Sequence, residues 1–115
     1  LEAMPGDRVW SCEFRGGTWQ GSRVDAQHCG ELPMLFGTLD VGRRLVESTC
    51  GPDAPERLAD LGAHFRASVL SFARGEGPGW EPFGDQRSSR VFSLLGDADG
   101  EDRDVYRSIR NMLPA

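Results

Sequence analysis

Within the stretch DAQHCGELPMLFGTLD, residues 25–40, a histidine, a cysteine and a glutamate fall inside four positions, with an apolar run directly behind them. These are residue types that ligate metals, attack carbonyl carbons or move protons. A cysteine nucleophile at Cys29 needs a base to draw off its proton and a third group to orient that base. His28 is its immediate neighbour, and adjacent side chains point apart, so Cys29 on its own reads as a small buried hydrophobe. A metal centre would have to gather His28, Cys29, Glu31 and the distant His64. Their spacing fits no closed tetrahedral site, and His64 falls off the apolar stripe of its helix. The remaining chemistry is proton transfer by His28, whose bland counterpart is a hydrogen-bonded loop histidine. The acidic run DADGEDRD resembles a calcium loop, but such a loop has glycine sixth and glutamate twelfth. Gly100 is fourth from Asp97, so the run reads as a solvated turn.

The elements that must hold these residues follow from pattern. RVWSCEF, residues 8–14, alternates Trp10, Cys12 and Phe14 with Val9, Ser11 and Glu13, which predicts a strand ending near Arg15. RGGTWQGS then reads as turn and polar loop as far as His28. Pro33 and Gly37 make LPMLFGTL a short buried turn or helical hook. DVGRRLVESTCGPDAPE is mixed and reads as surface. A helix is predicted from about Ala54 to Arg74, with Asp53 and Glu56 as a capping box and Pro55 in the first turn. Its stripe is Leu58, Leu61, Phe65, Val69 and Phe72, and Gly75 and Gly77 stop it. GPGWEPFGD is a loop with an aromatic at each end, RVFSLL (90–95) a short strand, and DVYRSIRNML a last helix. One strong helix over two short strands makes a thin sheet for an independent domain.

At 115 residues the chain is the size of one small domain. A net charge of −5, with every basic residue an arginine, argues against a nucleic-acid partner. No apolar run reaches the roughly 20 residues that span a bilayer. Three cysteines without paired spacing argue against both a disulfide framework and a zinc site, and lean toward a reduced, cytoplasmic setting. The chain opens on Leu1, without the charged-then-apolar pattern of a signal peptide, which fits a processing point or a cut inside a longer chain.

The order of these landmarks resembles the C-terminal region of the type-B carboxylesterases, the carboxylesterase/cholinesterase family of α/β-hydrolases. That pattern runs roughly as a gdvYxYxF strand, then HxxELPFVFGT, then WxxFAxtGdPn and WPxY. The matches here are GDRVWSCEF, HCGELPMLFGTLD, FRASVLSFARGEGPGW and WEPF, covering about residues 6–92. Val69 replaces a tryptophan, Met34 a phenylalanine and Phe83 a tyrosine, and the Gly-Asp-Pro-Asn turn is shortened to GEGPG. These departures touch packing and leave the histidine in place.

The resemblance implies an α/β class in which residues 1–115 are the C-terminal segment of an α/β-hydrolase fold, incomplete without its upstream sheet. It implies carboxylic ester hydrolysis with His28 as general base, taking a proton from serine and returning it to the leaving alcohol. Glu31 would be a structural residue pinning the histidine loop, and Met34, Leu35 and Phe36 would supply one pocket wall. No cofactor or metal is implied, and the small-molecule partner is an ester. No G-x-S-x-G occurs, and none of the serines at 11, 22, 48, 68, 71, 88, 89, 93 and 108 has the glycine-flanked elbow. The serine and acid must then come from an upstream core, and the isolated chain is expected to be inactive. The alternative is a non-catalytic esterase-like binding module, or a remnant that covers its apolar stripe by forming a homodimer.

Overall fold

The computed structural model describes residues 6–26, 28–95, 100–104 and 107–112. After a 3-10 turn at Gly6–Arg8 come strand β1 (Cys12–Arg15) and a hairpin of β2 (Gly17–Trp19) and β3 (Ser22–Val24). Four helices follow in the order α1 (Leu32–Phe36), α2 (Arg43–Cys50), α3 (Ala54–Ala73) and, at the end, α4 (Arg107–Met112), with β4 (Ser88–Ser93) and β5 (Gly100–Arg103) between the last two. The main sheet has the order β1-β4-β5, with β1 parallel and β5 antiparallel to β4. The protein is thus of α/β class with a small mixed sheet. Parallel pairing of β1 with β4 requires a long crossover, and the helices from α1 to α3 provide it.

Only the second half of the strand read from RVWSCEF forms: β1 starts at Cys12, and Trp10 lies before it. Phe14 lies opposite Phe92 in the β1–β4 register and stacks on it at 5.2 Å. Phe65 of α3 meets both rings edge-on, at 5.0 and 5.4 Å, and Trp80 approaches Phe92 at 6.0 Å. This aromatic cluster is the centre of the core, and Val91 and Phe92 on the middle strand are almost fully enclosed. Strand β4 begins at Ser88, two residues before the predicted start, because Ser88 and Ser89 pair with Arg103 and Asp102 of β5; ahead of it the Ser88 N–H donates to Phe83 O and the Phe83 N–H to Val9 O. Those bonds tie the WEPF loop to the lead-in of β1, as does the Trp10 Nε1–H bond to Trp80 O at 3.1 Å.

Helix α3 matches its predicted span. Gly75 adopts φ +83°, and the Gly75 and Glu76 amides return to the carbonyls of Phe72 and Ser71, closing the helix end as a Schellman motif. The capping box does not form: Asp53 caps without a side-chain hydrogen bond. The apolar stripe is only partly covered. Leu58 and Phe65 are buried and Leu61 half-buried, whereas Val69 and Phe72 are 38% and 52% exposed. The sheet is too narrow to reach the C-terminal half of a 20-residue helix, which is about 30 Å long.

Three segments differ from the sequence reading. Residues 17–24, expected as loop, pair as a hairpin whose two turn residues, Gln20 and Gly21, both have positive φ (50° and 76°). That is the primed geometry matching strand twist, reached here without the usual Asn-Gly signal. Helix α2 occupies part of the stretch read as irregular surface; its Arg43 binds Glu47 one turn on and Glu56 of α3, at 2.8 and 2.7 Å. The second half of the acidic run is strand β5, whose Asp102 is bonded by Arg15 at 2.8 Å; residues 97–99 of that run lie outside the described residues. The Arg15 guanidinium holds the Asp102 carboxyl below its ordinary range.

Helix α1 is the predicted hook, and it sits against α3 with almost no gap. A Cβ built on Gly62 would stand 2.9 Å from the Met34 carbonyl oxygen and 3.1 Å from Met34 Cβ. Because the obstacle is backbone, it cannot swing aside. Gly62→Ala gains about 1 kcal/mol of helix propensity but incurs overpacking of about 1–3 kcal/mol. Denaturant melts should therefore show a net loss of about 1 kcal/mol, and a gain would mean that α1 packs more loosely than described.

Candidate functional site

His28 lies on the loop between β3 and α1, and its position follows from how that loop is anchored. At one end the chain passes against the end of β1: a Cβ on Gly16 would lie 1.5 Å from the Val24 carbonyl oxygen, an approach only glycine permits. At the other end Glu31 comes close enough to Cys12, at the start of β1, to act on its thiol. Among the described residues β1 has a strand neighbour on one side only.

The turn itself is held by backbone. The Leu32 N–H donates to Cys29 O at 3.2 Å and the Leu35 N–H to Glu31 O at 2.9 Å. Pro33 sits in the first turn of α1, and Gly37 closes it at φ +69°. Cys29 takes φ +58°, a left-handed conformation unusual for a residue with a side chain. Cys29 is exposed, not the buried hydrophobe that its type suggests, because that conformation turns it out of the chain's packed side.

His28 is likewise exposed, with no side-chain hydrogen bond among the described residues. Glu31 is half-buried at the N-cap of α1 and makes no side-chain cap; its backbone oxygen, not its carboxylate, braces the turn. Behind it, Met34 is buried at 1% exposure against α3, where its carbonyl accepts from the Arg66 guanidinium. Leu35 is half-buried and Phe36 is 70% exposed. His64 is exposed on α3. Among the described residues no three His, Cys, Asp or Glu side chains gather closely enough to hold a metal ion.

A separate apolar groove of about 230 Å³ is lined by Trp10, Cys12, Phe65, Val69, Phe72 and Trp80, with no residue of the His28 loop among them. Trp10 meets Phe72 edge-on at 5.6 Å. The crowded apolar walls push the Cys12 thiol up first, and the Glu31 carboxylate pushes it up further. Both effects disfavour a thiolate, so Cys12 stays protonated at neutral pH and is a poor nucleophile. Only the strand alternation hinted at this groove in the sequence; its second wall comes from the uncovered end of α3.

The candidate site thus offers an exposed imidazole on a backbone-braced loop in a small α/β domain. Set against models of known protein families and against curated proteins, the chain matches none. No helix among the described residues is long and apolar enough to cross a membrane.

Proposed function

We propose that the chain is the C-terminal segment of a carboxylesterase-like α/β-hydrolase and that His28 is the general base of its serine-histidine-acid triad. The observation that carries this reading is the placement of His28 at the exposed tip of a loop. That loop follows β3 of the small hairpin, starts beside Gly16 at the end of β1, and leads into α1, which packs on α3 at Gly62. A general base needs this combination, a fixed backbone with a free imidazole, because the ring must reach a proton held by another group. The ordered HxxELP and WEPF landmarks support the same reading. The serine and the acid belong to an upstream core, and the substrate is a small carboxylic ester.

The test compares two polypeptides. The isolated 115-residue chain should leave p-nitrophenyl acetate at its buffer rate. The native polypeptide detected in source cells with an antibody to this segment should be several times heavier than 12.6 kDa and should hydrolyse the ester. A native product of 12.6 kDa without a serine-bearing partner would end the esterase reading.

The uncovered half of α3, with Val69, Leu70 and Phe72 at 38%, 54% and 52% exposure, favours a second reading. In it the chain is a non-catalytic module that pairs with itself. Sedimentation of the free chain as a monomer without apolar-dye binding would exclude it.

A further inference from the structure

The hook that follows the His28 loop is too short to hold its own shape. Helix α1 spans five residues, whereas isolated helices below about 12–15 residues are marginal in water. Its start is bonded to the histidine loop, the Leu32 N–H donating to Cys29 O and the Leu35 N–H to Glu31 O. A tilt or fraying of α1 therefore moves the backbone that directly follows His28.

What fixes α1 comes from α3. The last carbonyls of a helix have no partner within it. Here the Gly37 and Thr38 N–H groups both donate to Pro33 O, so they do not serve the Met34 carbonyl. The Arg66 guanidinium does so instead, donating to Met34 O through Nη1. The same nitrogen borders the helix end, where a Cβ on Gly37 would stand 3.8 Å from it. The cation thus sits at the negative end of the α1 dipole. Arg66 lies one turn beyond Gly62, whose missing side chain lets the Met34 backbone touch α3. Residues four apart share a helix face, so glycine and arginine together form a seat for α1. Met34 is 1% exposed and Arg66 half-buried, which keeps water from competing for the bond.

We infer that Arg66 is a positioning residue for the His28 imidazole, acting through the Met34 carbonyl and α1. This inference rests on the esterase reading and adds to it a residue of α3, outside the loop itself. One guanidinium nitrogen makes the bond to Met34 O, so the role needs a long side chain with a cationic donor and does not need the arginine fork. Lysine should fill it.

The test uses Arg66→Met, which keeps an apolar stem and removes the donor, and Arg66→Lys, which keeps one. In the polypeptide that carries the serine and the acid, Arg66→Met should lower kcat by about 10–100-fold, as expected for a displaced catalytic group. KM should stay within about twofold of the parent, and Arg66→Lys should restore most of the lost kcat. In the 115-residue chain, amide hydrogen exchange at Leu32, Leu35 and Thr38 should quicken in Arg66→Met and return to the parental rate in Arg66→Lys. The amides of Val91 and Phe92 in the core should keep their rates throughout. Parental kcat in Arg66→Met beside an inactive His28→Ala would overturn the inference and leave the esterase reading standing. Parental kcat in both variants would end the esterase reading, and this inference with it. Exchange that quickens equally at Val91 and Phe92, or a kcat that Arg66→Lys does not restore, would reduce Arg66 to an ordinary packing contact. If Arg66→Met does not stay folded, Arg66→Lys decides alone, since a fall in its kcat would refute the role.

Discussion

Replacing His28 with alanine in the polypeptide that also carries the serine and the acid should lower ester turnover by about 10⁴-fold or more. Without the imidazole, the serine hydroxyl must lose its proton to water while it attacks, and the leaving alcohol finds no acid. Binding of the ester depends on other groups, so KM should move far less than kcat. His64→Ala provides the control, because that histidine is exposed on α3 and plays no part in the loop. Its kcat should stay within about twofold of the parent, well inside the range of surface substitutions. If His28→Ala keeps parental turnover, the loop histidine is structural and the esterase reading is lost.

Phe92→Ala should be the most damaging single change to the fold, lowering stability by about 3–5 kcal/mol. The ring is 2% exposed at the middle of β4, and Phe14, Phe65 and Trp80 all have ring centres within 6.0 Å of it. The Arg90 guanidinium also lies over it, 5.2 Å from the ring centre. Truncation opens a cavity that four rigid neighbours cannot collapse into. Small domains hold only about 5–15 kcal/mol in total, so the variant should be largely unfolded at moderate denaturant where the parent is intact. Phe36→Ala, at 70% exposure, should shift the midpoint by less than about 0.5 kcal/mol. Similar effects from the two substitutions would mean that the aromatic cluster is not the core.

The two predictions differ in how far the sequence alone could reach. His28 stood out because it sits in a dense, ordered motif, and motifs are local. Its surroundings were less legible: Glu31 was expected to pin the loop, and the bonds that hold the turn are accepted by the backbone carbonyls of Cys29 and Glu31, which no residue type announces. Cys12 was one of three aligned strand residues, and nothing along the chain placed the groove or Glu31 beside it.

The elements that the sequence by itself determined are those written in short-range periodicity and in residues that restrict the backbone. Helix α3 is legible from the spacing of Leu58 and Phe65, from Pro55 in its first turn and from Gly75 at its end. The hook α1 follows from Pro33 and Gly37, and β1 from its alternating aromatics. Tertiary structure decided which parts of those patterns are covered. Phe65 and Phe72 carry the same side chain on the same stripe, yet one is buried and the other half in solvent, because the sheet ends between them. It also decided that the acidic residues of 100–103 lie in a strand, which has little propensity for them and forms because β4 offers an open ladder and Arg15 a partner for Asp102. The meeting of Arg87 with Arg103 has the same origin: cross-strand register joins residues far apart in the chain, and local pattern carries no record of it.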